Sequence, residues 1–459
     1  MPWDLLIRGG EVVTPDGVRR ADIAVENEKI VEVAPELSGG SRETIDATGL
    51  HVFPGLIDPH VHFNEPGRTE WEGFATGSSA LAAGGGTCFF DMPLNSSPPT
   101  LDGPSFDLKR QAAEANSRTD FALWGGLTPG NLDKMEELAE RGVIGFKAFM
   151  SNSGIEDFAR ADDLTLHRGM SIAAKLGLPV AVHAESEELT SRLSAEASRA
   201  GKRAVRDYLQ SRPVIAEIDA IRRAIAFARD TGCSLHVVHI SSAEGSMEVV
   251  EGKHATYDPG VEPPMITGET CPHYLTLTED DVEQIGAAAK CAPPLRSREQ
   301  VERLRVQLGH GGIDLVASDH SPAPTSMKRD PNFFKVWGGV SGIQSTLSIL
   351  LDLTVPLTRV AELTSECAAK RFGIDGKGQM KAGNDVDLAL VDIGASYELT
   401  RDMLLDRHKH SPYVGRTFRG VVKRTIVRGH TVFLDGRIVA DDFRGRLVTP
   451  ARRKGAGRA

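Results

Sequence analysis

Two textures of apolar and polar positions alternate along the chain. Over the first fifty residues, short apolar runs are cut every few positions by turn residues. Leu5–Arg8 runs into Gly9-Gly10, Glu11–Thr14 ends at Pro15-Asp16-Gly17, and Ala21–Val25 and Lys29–Val33 follow. Such runs read as short strands. The C-terminal part has the same texture, with strands predicted at Val386–Val391 and Arg424–Gly429 and a hairpin turn at Leu434-Asp435-Gly436-Arg437. Between these ends the apolar runs become nearly continuous and alternate with helical stretches. Eight candidate strands can be counted: His51–Asp58, Gly86–Met92, Phe121–Leu127, Ile144–Met150, Pro179–His183, Ser234–Ile240, Ile266–Cys271 and Asp314–Asp319. Unbroken apolar runs are what strands buried on both faces require. Helices are predicted at Phe74–Ala83, Asp133–Arg141, Val214–Ala228 and Glu299–Leu308.

Eight strands interleaved with helices is the count of a (β/α)8 TIM-like barrel. A doubly wound open sheet gives the same alternation, but the count, and the absence of GxGxxG after the first strand, favour the barrel. The expected α/β architecture is a barrel over residues 53–375 and a small β-sandwich domain assembled from residues 1–52 and 376–450. Two separate β-caps would give the same texture. Residues 451–459, rich in Arg, Lys, Gly and Ala, are expected to fray.

Composition narrows the function. The 459 residues carry 53 Lys+Arg against 63 Asp+Glu, a net charge of −10 that argues against nucleic acid as a partner. At 40% hydrophobic and 25% charged, the chain is an ordinary globular one. Its five cysteines are odd in number and contain no CxxC pair, which fits a reducing, cytoplasmic location better than a disulfide framework. The N-terminus does not read as a signal peptide, and no apolar run is long enough to span a membrane. A small-molecule ligand is the expectation.

The chemistry gathers at strand ends. His60-Val61-His62 closes the first barrel strand, and residues i and i+2 of an extended chain point to one side. His183 ends Val180–His183, His239 ends Leu235–His239, and Asp319 ends Leu315–Asp319. Taken singly, each has a bland reading as a strand-end or capping residue. A TIM barrel, however, builds its active site at the C-terminal ends of its strands, so four histidines, a lysine and an aspartate meet in one mouth. Lys147 is the most telling, because an ammonium among Val143, Phe146 and Phe149 is costly unless paired or neutralised. Burial favours the neutral amine, which can react with CO2 to give a carbamate able to bridge two metal ions. Two divalent ions outweigh the carbamate, the Asp319 carboxylate and a bridging hydroxide by about one positive charge, which acidifies water and polarises a carbonyl. His236, three residues before His239, is expected to face the other way, outward or in a structural role. Trp71, Trp124 and Trp337 are expected to pack, and Ser151–Gly154 to form a mobile lid.

At this point the sequence resembles the cyclic amidohydrolases, the group of dihydroorotases, hydantoinases and allantoinases. The likeness starts at Asp4–Gly10, runs through Pro54–His62 and ends past Gly378–Asp387. It implies that His60 and His62 hold one metal, that carboxylated Lys147 bridges, and that His183 and His239 hold the second. Asp319 would bind the first metal and act as general base. Within the group, Glu65–Gly73, Asp91–Asn95, Cys271–Tyr274, Ser318–Pro322, Val336–Gly339 and Arg407–Gly415 look most like allantoinases. Dihydroorotases look for an Arg two residues after HxH and an Asn directly after Met-Pro to clamp a carboxylate; here Asn64 and Leu94 stand there, so that substrate ranks lower. Hydantoinases rank second.

The resemblance implies hydrolysis of allantoin to allantoate. The bridging hydroxide attacks a ring carbonyl, and Asp319 moves the proton to the departing nitrogen. It also points to the backbone of Ala292, Gly338 and Gly339 as holding the ring. Zinc is the expected metal, with cobalt, manganese or nickel also suited to the donors. Related enzymes are homotetramers or dimers, which makes a homo-oligomer the expectation. A non-catalytic scaffold on the same fold is the reading from another class, and it is weakened because all six metal-ligand candidates are present.

Overall fold

The computed structural model describes residues 2–254 and 263–451. The expected fraying of 451–459 therefore lies, apart from Ala451, outside the described residues. Eight parallel strand positions form the barrel: Leu56–Val61, Gly86–Asp91, Asp120–Leu123 continued by Gly125–Gly126, Phe146–Phe149, Val180–His183, Leu235–Val237, Ile266–Thr270 and Leu315–Val316. The strand at 120–126 passes between two hydrogen-bonded sheets. Its first half pairs with Gly86–Asp91 and its second half with Phe146–Phe149. The ring closes where His62 N–H donates to the His320 carbonyl at 2.8 Å. There Asp58 also accepts from the Ser318 amide at 3.1 Å and the His60 amide at 3.2 Å, tying the first strand to the last.

Alternation along each strand separates two apolar layers. Inward residues such as Ile57, Phe90, Trp124, Ile144, Ala181, Val238 and Leu315 fill the barrel. Phe372 plugs it from below, edge-on to Phe90 and Trp124 at 5.2 and 5.3 Å. Outward residues meet the helices. Val214–Thr231, for example, buries Ala216, Ala220, Ile221, Ala224, Ile225 and Ala228 along one face, each isoleucine contributing about 1.5–3 kcal/mol.

The terminal segments join in one nine-stranded sheet. Leu388–Glu398 pairs antiparallel with His51–Pro54, which in turn lies beside Trp3–Thr14. Leu5–Arg8 and Glu11–Thr14, read as two strands, are one strand with a bulge between Ile7 and Gly10, where Gly9 takes φ +71°. His51–Asp58, read as one strand, is two. Gly55 separates a sheet strand from a barrel strand at a point where a Cβ would stand 2.3 Å from the Thr87 side chain. The strand Ser41–Asp46 escapes the apolar pattern because only Ile45 of it is buried. A C-terminal strap runs beneath the barrel. Phe121 donates to the Arg446 carbonyl, Val448 donates to the Phe121 carbonyl, and Ala451 reaches Gly373.

Candidate active site

The strand ends converge as their termini dictate. His60 Nε2 lies 3.3 Å and His62 Nε2 3.5 Å from Asp319 Oδ1. His183 Nδ1 lies 3.0 Å from His239 Nε2. The His60 and His239 rings are 5.4 Å apart, which joins the two pairs. The Lys147 ammonium sits 5.1 Å over the Phe149 ring, and that ring stacks on His183 at 4.6 Å. His239 and Asp319 take left-handed backbone, φ 41° and 45°, at the points where their strands end. Non-glycine residues hold such conformations only under constraint, and they concentrate at functional sites.

Buried carboxylates orient the imidazoles. Glu269 accepts from His60 Nδ1 at 2.5 Å and from His236 Nε2 at 3.0 Å. Glu185 accepts from His183 Nε2 at 2.8 Å and from Arg212. These partners leave the lone pairs of His60 Nε2 and His183 Nδ1 aimed into the mouth. Burial holds all of His60, His183 and His239 below the ordinary imidazole value, in the neutral form that ligates metals. Burial also pushes the Lys147 amine down to about 8 and the Glu269 carboxyl up to about 8. Burial alone would raise Glu185, but Arg212, His183 and Arg296 hold it low.

Several of these atoms have no protein partner: Lys147 Nζ, His62 Nδ1 and His239 Nδ1 are buried and unpaired. Two imidazole nitrogens face each other at 3.0 Å between His183 and His239, an arrangement that needs a proton or a cation between them. Four imidazoles, one carboxylate and a buried amine open to carboxylation form a donor set that fits divalent metal ions.

A cavity of about 360 Å³ opens above this floor. His60, His62, His183, His239 and Asp319 line it, and so do Ala292, Gly338 and Gly339; Lys147 lies beneath, fully buried. The wall at 333–339 is held by two lysines. Lys290 Nζ donates to the carbonyls of Phe333 and Val336 at 2.7 and 2.5 Å, and Lys328 Nζ to those of Trp337 and Gly339 at 3.0 and 2.7 Å. Asn152, Ser153 and Gly154 form part of the rim. This segment, expected to be a mobile lid, is tied down. The Asn152 amide donates to Glu187 at 2.7 Å, and Ser153 Oγ to the Phe158 carbonyl at 2.6 Å.

Two expectations change. His236 does not face outward. It points into the barrel, hydrogen-bonded to Glu269 and Thr267 and edge-on to Phe372 at 5.5 Å. The turn of backbone at His239 breaks the two-residue alternation, so both histidines reach the interior. Trp337 also does more than pack: it lines the cavity with Trp71 edge-on behind it at 4.8 Å, whereas Trp124 is fully buried. Sequence reasoning missed Glu269 and Glu185. Glu269 is a charge within a strand, the signal that exposed Lys147, and Glu185 sits two residues beyond a strand-end histidine.

Comparison with known proteins agrees with this architecture. The model of the amidohydrolase family matches residues 51–432. The allantoinase of Rubrobacter xylanophilus is 55% identical over 458 residues, covering 99% of each chain. That of Solibacter usitatus is 54% identical over 452 residues, covering 97% of each. The solved L-hydantoinase (dihydropyrimidinase) from Arthrobacter aurescens has a TM-score of 0.93 and 32% identity, covering 97% of this chain and all of that one. The family model spans most of the chain, and full-length relatives share more than half its residues: the chain belongs to the amidohydrolase family.

Proposed function

We propose that this protein hydrolyses the cyclic amide bond of allantoin to give allantoate. The observation that carries the reading is the convergence of four imidazoles, one carboxylate and the unpaired Lys147 amine at the floor of a cavity sized for one small ring, in a chain 54–55% identical to proteins named allantoinase. Two divalent ions, zinc foremost and cobalt, manganese or nickel as alternatives, would be held by His60, His62, Lys147, His183, His239 and Asp319. When bound they supply the Lewis acidity that acidifies water and polarises the ring carbonyl.

The chain's own residues do the rest. Lys147, whose amine burial brings down to about 8, would give up its ammonium proton and add CO2 at Nζ with release of a second proton, and the resulting carbamate would help hold the ions. Asp319 takes the proton of the attacking water on its carboxylate and delivers it to the departing ring nitrogen. Glu269 and Glu185 keep the His60 and His183 lone pairs aimed at the floor. The backbone of Ala292, Gly338 and Gly339 offers amide donors and acceptors to the planar ring, with Trp337 excluding water. We also propose a cytoplasmic homo-oligomer, a tetramer or dimer. The cysteines are all free, and among the described residues no helix is long and apolar enough to cross a membrane.

The test is hydrolysis of allantoin, hydantoin and dihydroorotate side by side, with metal content read on the same sample of protein supplied with bicarbonate and divalent metal. Allantoin turnover far above the others, with about two metals per chain, is the expected result. Preference for simple hydantoins would transfer the chain to the hydantoinase activity, and absence of metal would revive the scaffold.

A further inference from the structure

Behind Asp319 lies a second set of donors. Cys271, at the end of the strand Ile266–Thr270, and His273, in the short helix that follows, each bring one ligand atom within 4.8 Å of the other and of an Asp319 oxygen. Neither residue lines the cavity, whereas Asp319 does, so the set sits on the far side of that carboxylate. Cys271 is fully buried and His273 is 1% exposed. His273 Nε2 finds no hydrogen-bond partner. A buried imidazole nitrogen is normally satisfied by protein or water, and a ring that keeps one unpaired while it lies beside a thiol and a carboxylate has the surroundings of a ligand.

We propose that Cys271, His273 and Asp319 form an inhibitory site for one additional soft divalent cation, zinc in excess or cadmium. One sulfur, one nitrogen and one oxygen are a common tetrahedral donor set for these ions, with water in the fourth position. The thiol loses its proton to solvent as the sulfur–metal bond forms, and the neutral imidazole and the carboxylate donate lone pairs; nothing is oxidised or reduced. An occupied site holds the Asp319 carboxylate in place, so that it no longer takes and delivers the proton of the reaction. The inhibition rests on the role given to Asp319 above; the binding does not.

The experiment uses the metal-loaded protein titrated with cadmium or zinc chloride. Three signals are read: the ultraviolet cadmium–thiolate band, the metal bound per chain after equilibrium dialysis, and allantoin turnover. Wild type is expected to bind one more cation per chain than Cys271→Ala, to show the band, and to lose turnover as that cation binds. Cys271→Ala is expected to lose the band and to keep its turnover in excess zinc, its affinity for the extra cation falling by at least roughly 10–100-fold. Should Cys271→Ala fold poorly, His273→Phe serves the same purpose, with a weakened band and weakened inhibition. A band and inhibition that persist unchanged in both variants, or that never appear in wild type, overturn the proposal. A cysteine-dependent band in a protein that does not turn over allantoin upholds the cation site and refutes the substrate reading instead.

Discussion

Two clusters of buried polar groups sit at opposite ends of the barrel strands, and they are satisfied in opposite ways. At the strand starts, Lys377 Nζ reaches Asp387 at 2.5 Å, Asp120 at 2.8 Å and Asp385 at 3.2 Å. Arg428 bonds Asp120 and Glu28, both at 3.1 Å, and Arg446 bonds Glu28 at 2.7 Å. Every charge there has an opposite partner, and the network joins the barrel to the small sheet. At the strand ends, Lys147, His62, His239 and His273 each keep a buried nitrogen without a partner. Lys377, Asp120, Asp387 and Arg428 are buried about as deeply as the strand-end groups, so burial does not distinguish architecture from chemistry. Satisfaction does: a closed network is complete in itself, and an open one awaits a ligand.

The comparison breaks at its strongest point if Lys147→Ala retains metal and turnover. The expected outcome is loss of both, read by metal analysis and allantoin hydrolysis, with an unchanged circular dichroism spectrum. Next, Asp319→Asn should lower kcat by roughly 10²–10⁴-fold, the usual worth of a proton-transfer group, in steady-state kinetics. At the closed end, Lys377→Met strands buried carboxylates and should cost about 3–5 kcal/mol in urea unfolding, with kcat per folded chain unaffected. Glu269→Gln leaves His60 less well oriented and should weaken metal retention by roughly 10–100-fold in chelator competition.

The smallest effect concerns acid. Burial alone would raise Asp385, but Lys377 and Lys29 outweigh it and hold the carboxyl below its ordinary 3.8. Burial would likewise raise Glu28, and Arg446, Arg428 and His430 outweigh it, so its carboxyl lies below 4.5. The stability these carboxylates contribute is complete above their ordinary values and is lost as pH falls through the lowered ones. The share of thermal stability that these two carboxylates contribute should therefore persist until pH drops below about 4, read as the difference between wild type and Lys377→Met on acidification. In Lys377→Met that acid-linked loss should shrink, because Asp385 without its principal partner is no longer held low.

The barrel was legible because its strands are buried on both faces and so leave nearly unbroken apolar runs. The six metal-ligand candidates were legible because polar residues that end such runs, or in Lys147 interrupt one, are conspicuous. Legibility failed where local backbone departs from regular strand. His236 was assigned outward by a two-residue period that His239 interrupts with its left-handed φ. His51–Asp58 looked continuous because nothing in the pattern marks Gly55 as the crossing between two sheets. Glu269 was passed over because Thr267, Gly268 and Thr270 dilute the apolar run around it. Lys290 lies in a loop and Lys328 ends the short 3-10 turn Thr325–Lys328, where no period makes a charge stand out; only their carbonyl partners reveal what they hold.

The pairing of His51–Pro54 with Leu388–Glu398 also sets a timetable. A ribosome makes the first of these strands roughly 330 residues before the second, which at ~5–20 residues per second is a wait of about 17–70 s. Throughout that interval the edge at Val52 and Phe53 has no strand to cover it, while the barrel is being laid down behind it. The small sheet begins first and finishes last, and the strap at Arg446–Val448 reaches Phe121 only near the end of synthesis. A nascent chain stalled before Leu388 therefore presents an open sheet edge to its neighbours.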